Sequence, residues 1–168
     1  GVVNNGTFDF KGGTISASGI NSVGVYSANG VDSTTNIGTG TANSATLNVS
    51  NGGVGLYADA GSTQTLSGLT ATVTGTSTAG SILFYNIPSS GSAGKFDLTN
   101  ATPGNATIDA YSFAFYTNQN IFSSPTGFAT FLNDWVGTAS GTGINLAMNT
   151  GSSLLLANLS GASVNFSN

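Results

Sequence analysis

The chain has 168 residues and only eight charged side chains, Lys11 and Lys95 against Asp9, Asp32, Asp59, Asp97, Asp109 and Asp134, for a net charge of −4. Two cations are too few to neutralise a phosphate backbone or an anionic headgroup layer, which excludes nucleic acid and electrostatic membrane binding. With no His, Cys, Glu or Arg, the chain also lacks the ligands of a zinc centre and the members of a Ser/His/Asp or Cys/His catalytic set.

Thr, Ser, Asn and Gly dominate, and the usual helix formers are nearly absent, so the composition predicts short strands joined by tight turns. Val, Ile, Leu, Phe and Tyr recur in small clusters along the whole length, which a disordered linker does not need. No apolar run approaches the ~20 residues that span a bilayer. One domain over residues 1–168 is expected, with no direct membrane insertion by this segment.

In chain order, the first cluster is "GVVNNGTFDF" at Gly1–Phe10, which reads as an entry in mid-coil. A phrase then begins that returns four times. "TIS" at Thr14–Ser16 is followed by "SVGVY" ending at Tyr26, and "LNV" at Leu47–Val49 by "GVGLY" ending at Tyr57. "ATV" at Ala71–Val73 precedes "SILFY" ending at Tyr85, and "ATID" at Ala106–Asp109 precedes "SFAFY" ending at Tyr116. "GINLAM" puts Met148 in the slot of the tyrosines. A period of this length is the mark of a solenoid, in which fixed strands stack and elastic turns absorb insertions.

The fold class expected is therefore all-β: a right-handed parallel β-helix, or β-solenoid, of about five coils with one short helical insert. Val23, Val25, Val54, Leu56, Ile82 and Phe84 compete for the core, with inward parity left open. The tyrosines form one ladder, either holding coils in register or offering an aromatic stripe to a partner. Asn29, Asn51 and Asn118 fit turns, where asparagine tolerates positive φ. "VDSTTNIGTGTAN", Val31 to Asn43, is too polar for a core strand and reads as a solvated loop or lateral hairpin.

Asp97 and Asp109 fall in one repeat, and a carboxylate pair there would suit a polysaccharide-acting lyase or hydrolase. Lys11 beside Asp9 and Lys95 beside Asp97 favour surface ion pairs instead. "TATVTGTST" at Thr70–Thr78 alternates threonine as an ice-binding face does, but the equivalent strands, "LNV" and "ATID", do not obviously repeat it.

"SSPTGFATFLNDWVG" at Ser123–Gly137 breaks the pattern. It sets Phe128, Phe131, Leu132 and Trp135 at helical spacing, with Ser124 as N-cap, Pro125 at the first position and Gly137 as terminator. The helical insert is placed at residues 124–136, docked on the solenoid flank. Phe128, Phe131, Asn133, Asp134 and Trp135 are the candidate contacts for a partner, because projecting elements on a regular scaffold acquire function. No catalytic, cofactor or metal residue is assigned, and the chain is not expected to be an enzyme.

The phrases "SVGVYSANG" and "GVGLYADAG", with "SATLNVSNGG" and "GKFDLTNATPGNATIDA", resemble the passenger repeats of large type V autotransporter adhesins, the fusobacterial kind in particular. The resemblance implies a β-helical stalk on the cell surface of a Gram-negative bacterium, anchored through an outer-membrane barrel outside this segment. It implies a role in host-cell or interbacterial adhesion, with a surface protein or glycan as partner and further coils of the same chain beside this piece.

Overall fold

The computed structural model describes residues 1–167 apart from 30–32, 39–44, 89, 93, 100, 101, 103, 110, 118–120, 125, 136–142 and 149–162. The first strands are β1 (Val2–Asn4), β2 (Thr7–Phe10), β3 (Gly13–Ser18), β4 (Val23–Ser27) and β5 (Thr34–Ile37). Next come β6 (Ala45–Ser50), β7 (Val54–Ala58), β8 (Thr63–Leu66), β9 (Leu69–Val73) and β10 (Ile82–Tyr85). The last are β11 (Lys95–Asp97), β12 (Asn105–Ile108), β13 (Phe113–Thr117), β14 (Gly143–Met148) and β15 (Ser163–Ser167).

These strands build three parallel sheets. Sheet A runs β1-β4-β7-β10-β13-β14-β15, sheet B runs β2-β5-β8-β11, and sheet C runs β3-β6-β9-β12. Each coil visits B, C and A in turn and then climbs one rung, so hydrogen bonds run between coils rather than within them. The result is a β-solenoid of about three turns. That is fewer than the five coils expected, because β14 and β15 extend sheet A while sheets B and C hold four strands each among the described residues.

The tyrosine phrases are one column of sheet A. Tyr26 pairs with Tyr57, Tyr57 with Tyr85, and Tyr85 with Tyr116. The column then passes to Ala147; Met148 stands opposite Thr117, one place away from the slot assigned to it. The same register sets Leu146 opposite Phe115.

Parity in sheet A is not a simple alternation. The pattern half-exposed, buried, buried, half-exposed, buried recurs in β4, β7 and β13, and β10 shows its first four places. Of the six residues competing for the interior, Val25, Leu56 and Phe84 are fully buried, whereas Val23, Val54 and Ile82 form a half-exposed row. Between the two rows sit Gly24 and Gly55. A Cβ on Gly24 would lie 3.1 Å from Leu47 Cδ1 and 3.4 Å from Ile15 Cγ2 of sheet C, so the large residue opposite takes the space. In the next rung the sizes exchange: Ala71 continues the column of Leu47, and Leu83 stands opposite Gly55.

Sheet B adds a third strand to the two-strand phrase of each coil and corrects one expectation: Thr34–Ile37, within the stretch read as a solvated loop or lateral hairpin, is a rung of this sheet between β2 and β8. Thr35 and Ile37 are buried there. The inward polar groups are joined in a chain: Asn4 Nδ2 donates to Thr35 Oγ1 (2.9 Å), the Ser27 and Thr35 hydroxyls share a bond of 2.7 Å, and Gln64 Nε2 donates to Ser27 Oγ (3.0 Å) and to the Tyr57 carbonyl (2.9 Å). Hydrogen bonding of this kind lets a polar column sit inside an otherwise apolar stack.

Candidate contact surface

The helical insert begins with Ser124, whose carbonyl accepts from Gly127 N and whose Oγ accepts from Thr126 N at 3.2 Å. An α-helical turn, α1 (Gly127–Thr130), passes into a π-helical turn over Phe131–Trp135. Pro125 and Gly137 lie outside the described residues, as do the side chains of Phe128, Leu132 and Asn133.

Of the remaining contact candidates, Phe131 and Trp135 are buried, while Asp134 is exposed. The Phe131 ring lies 5.3 Å from Phe84 and 5.0 Å from Phe115, and the Trp135 ring lies 6.4 Å from Phe84. The insert therefore enters the core instead of lying on the flank. It does so beside the rung where the two facing positions are the small residues Ala106 and Ala114, and a Cβ on Gly104 would come within 2.7 Å of the indole. Side chains held this way are not offered to a partner, which leaves Asp134 as the candidate shown to be exposed.

The outer face of sheet A is a better surface. Its tyrosines bind upward from coil to coil: Tyr26 Oη donates to Asp59 Oδ2 at 2.6 Å, and Tyr57 Oη donates to the Ile87 carbonyl at 2.9 Å. Ring centroids along the column are 4.9, 4.7 and 5.4 Å apart. The rings thus cover one another, and the ladder holds adjacent coils in register. The hydrogen bond to buried Asp59 pushes the Tyr26 phenol up to about 12, and burial followed by the charge of Asp59 does the same to Tyr57. Burial also raises Tyr85.

What the ladder leaves open is its edge and the row of Val23, Val54, Ile82 and Phe113 beside it, with Ile20 73% exposed at one end. Two shallow grooves cross this stripe. One of about 440 Å³ lies among Val3, Val23, Tyr26 and Tyr57, and one of about 350 Å³ among Ile20, Val54, Tyr57 and Tyr85. Asn21 borders both grooves and adopts a left-handed turn at φ 68°. A continuous apolar strip with a polar border is the form interaction surfaces take. The row was visible in the sequence only as the residues that lose the contest for the core.

The carboxylates are used locally. Asp97 Oδ1 accepts from Thr99 N and Thr99 Oγ1, and Asp9 accepts from Asn36. Asp109 takes Gly75 N at 2.8 Å and Tyr111 N at 3.1 Å. Burial works to raise its pKa, but hydrogen bonds from Ser112 and from the backbone of Gly75, Tyr111 and Ser112 outweigh that and hold it below the ordinary value. Among the described residues no group of three or more acidic, His or Cys side chains could hold a metal ion. No family model, curated protein or solved structure matches the chain.

Proposed function

We propose that this chain is a rigid segment of a bacterial cell-surface rod, the β-helical passenger of an autotransporter adhesin, and that the stripe on sheet A makes its contact with a host or bacterial surface. The winding is right-handed, as crossovers between parallel strands nearly always are. The observation that carries this reading is the unbroken column of equivalent positions on sheet A, which sets Val23, Val54, Ile82 and Phe113 in one line beside the tyrosines. An apolar line on a stiff scaffold binds with little ordering of its own side chains, so more of the contact energy is retained as affinity.

Beads coated with the purified chain test this against host epithelial cells and co-aggregating bacteria. Wild type is expected to adhere above an albumin-coated control, and the double variant Val3→Asp/Ile20→Asp to lose at least ten-fold. Both residues are exposed, at 75% and 73%, so the fold should be retained. Asp134→Ala is expected to adhere like wild type. Adhesion no better than albumin, or unchanged by the double variant, would sink the proposal.

A further inference from the structure

Sheet C carries a second regular surface, with chemistry opposite to that of sheet A. Its strands pair without a break: β3 with β6 over six residues, β6 with β9 over five, and β9 with β12 over four. Two outward columns result. One is Thr14, Thr46, Thr70 and Asn105; the other is Ser16, Asn48, Thr72 and Thr107. The inward residues between them, Leu47, Ala71 and Ala106, and those beyond the second column, Val49 and Val73, are buried, which fixes the outer side chains on a common plane. Thr14, Ser16, Asn48, Thr72, Asn105 and Thr107 are exposed, and Thr46 and Thr70 are half-exposed.

The array holds neither a charge nor a purely apolar side chain. Rungs about 4.8 Å apart, and alternate residues about 6.6 Å apart along each strand, give a nearly rectangular net of hydroxyl and amide groups. Threonine adds a stiff rotamer and a methyl group at each of its positions.

These properties restrict the ligand. Without cations or carboxylates the face cannot select an ionic partner, and without an aromatic platform it offers no stacking surface to a sugar ring. Each hydrogen bond it makes to a soluble ligand replaces one to water and is worth little net. Such a surface gains affinity only from a rigid, periodic ligand that engages many positions at once. We propose that the outer face of sheet C binds ordered water at the surface of ice. The sequence hides this because the recurring column, Thr14, Thr46 and Thr70, is spread over three coils whose strands read differently. The assignment is independent of the adhesive role of sheet A.

The test is ice-affinity partitioning of the purified chain, with crystal shape followed by microscopy. Wild type is expected to enter the growing ice and to facet the crystals. Thr72→Tyr, which obstructs the net at an exposed position, should reduce incorporation at least ten-fold, and Ser16→Lys at the outer rung should do the same if the first variant folds poorly. Thr63→Tyr, on sheet B, should leave incorporation unchanged. Exclusion of folded wild type from ice, equal incorporation of wild type and both sheet C variants, or loss on Thr63→Tyr alone overturns the assignment. Binding to insoluble cellulose or chitin in place of ice overturns it too.

Discussion

A methyl group on Gly24 would stand 2.6 Å from the carbonyl oxygen of Gly55, closer than non-bonded atoms approach, and the obstacle is backbone of the next coil. The glycine in the "VGVY" and "VGLY" phrases is thus a matter of space, against the next coil's carbonyl and Leu47 at both positions, with Ile15 added at Gly24 and Val49 at Gly55, and neither glycine has positive φ. Gly24→Ala is expected to destabilise by about 1–3 kcal/mol, the cost of overpacking a filled core, read from the denaturant midpoint. Positive φ is met by Asn51 at 53° and Asn21 at 68°. Asn51 was legible from its turn setting; Asn21 was not, because it lies beside the apolar Ile20.

The tyrosines give the same scale a pH dependence. Unfolded tyrosine ionises near 10, and folded Tyr26 and Tyr57 near 12. A raised folded pKa contributes stability that is complete below pH 10 and declines as pH climbs towards 12, with no further loss from these groups above it. The denaturant midpoint is expected to fall between pH 10 and 12, and tyrosinate absorbance to show a late phase near 12. In Asp59→Asn the Tyr26 part of that phase should move to lower pH, because the acceptor charge is gone. A midpoint that stays flat from pH 9 to 12 contradicts the proposed linkage.

Among elements, the strands of sheets A and C were readable because hydrophobic clusters announce them. Sheet B was not. In β5 and β8 the inward pairs are Thr35 with Ile37 and Gln64 with Leu66, so half of each strand's buried content is polar and the period-two signal fails. Their burial depends on partners from distant coils, Asn4 and Ser27, which no local window contains. The helical insert had the reverse problem. Its spacing was plain, but spacing says only that one face is apolar, not whether that face covers a flank or fills a gap. The gap beside Ala106 and Ala114 decides for filling. Phe131→Ala is accordingly expected to destabilise by about 3–5 kcal/mol, as loss of a fully buried aromatic does, measured by thermal or chemical unfolding. A variant within 0.5 kcal/mol of wild type would return the insert to the surface.

For the molecule as a whole, the sequence revealed the stacking and the period but overstated the number of coils, since it counted tyrosine-like phrases and these mark sheet A alone. The two faces proposed as contacts differ in how far the sequence could show them. The stripe on sheet A lies within a repeated phrase, whereas the net on sheet C exists only once Thr14, Thr46 and Thr70 are brought into register. In both cases a column of side chains acts as the unit, and columns belong to the wound chain.

Winding also separates contour from height. Tyr26 and Tyr57 are 31 positions apart in the chain, yet they are immediate neighbours in sheet A. Drawn out, that stretch would reach about 100 Å, while stacked it adds about 4.8 Å to the axis. Each winding thus stores roughly twenty times the length it contributes to the axis, so pulling one coil out of the stack would lengthen the chain far more than it shortens the solenoid.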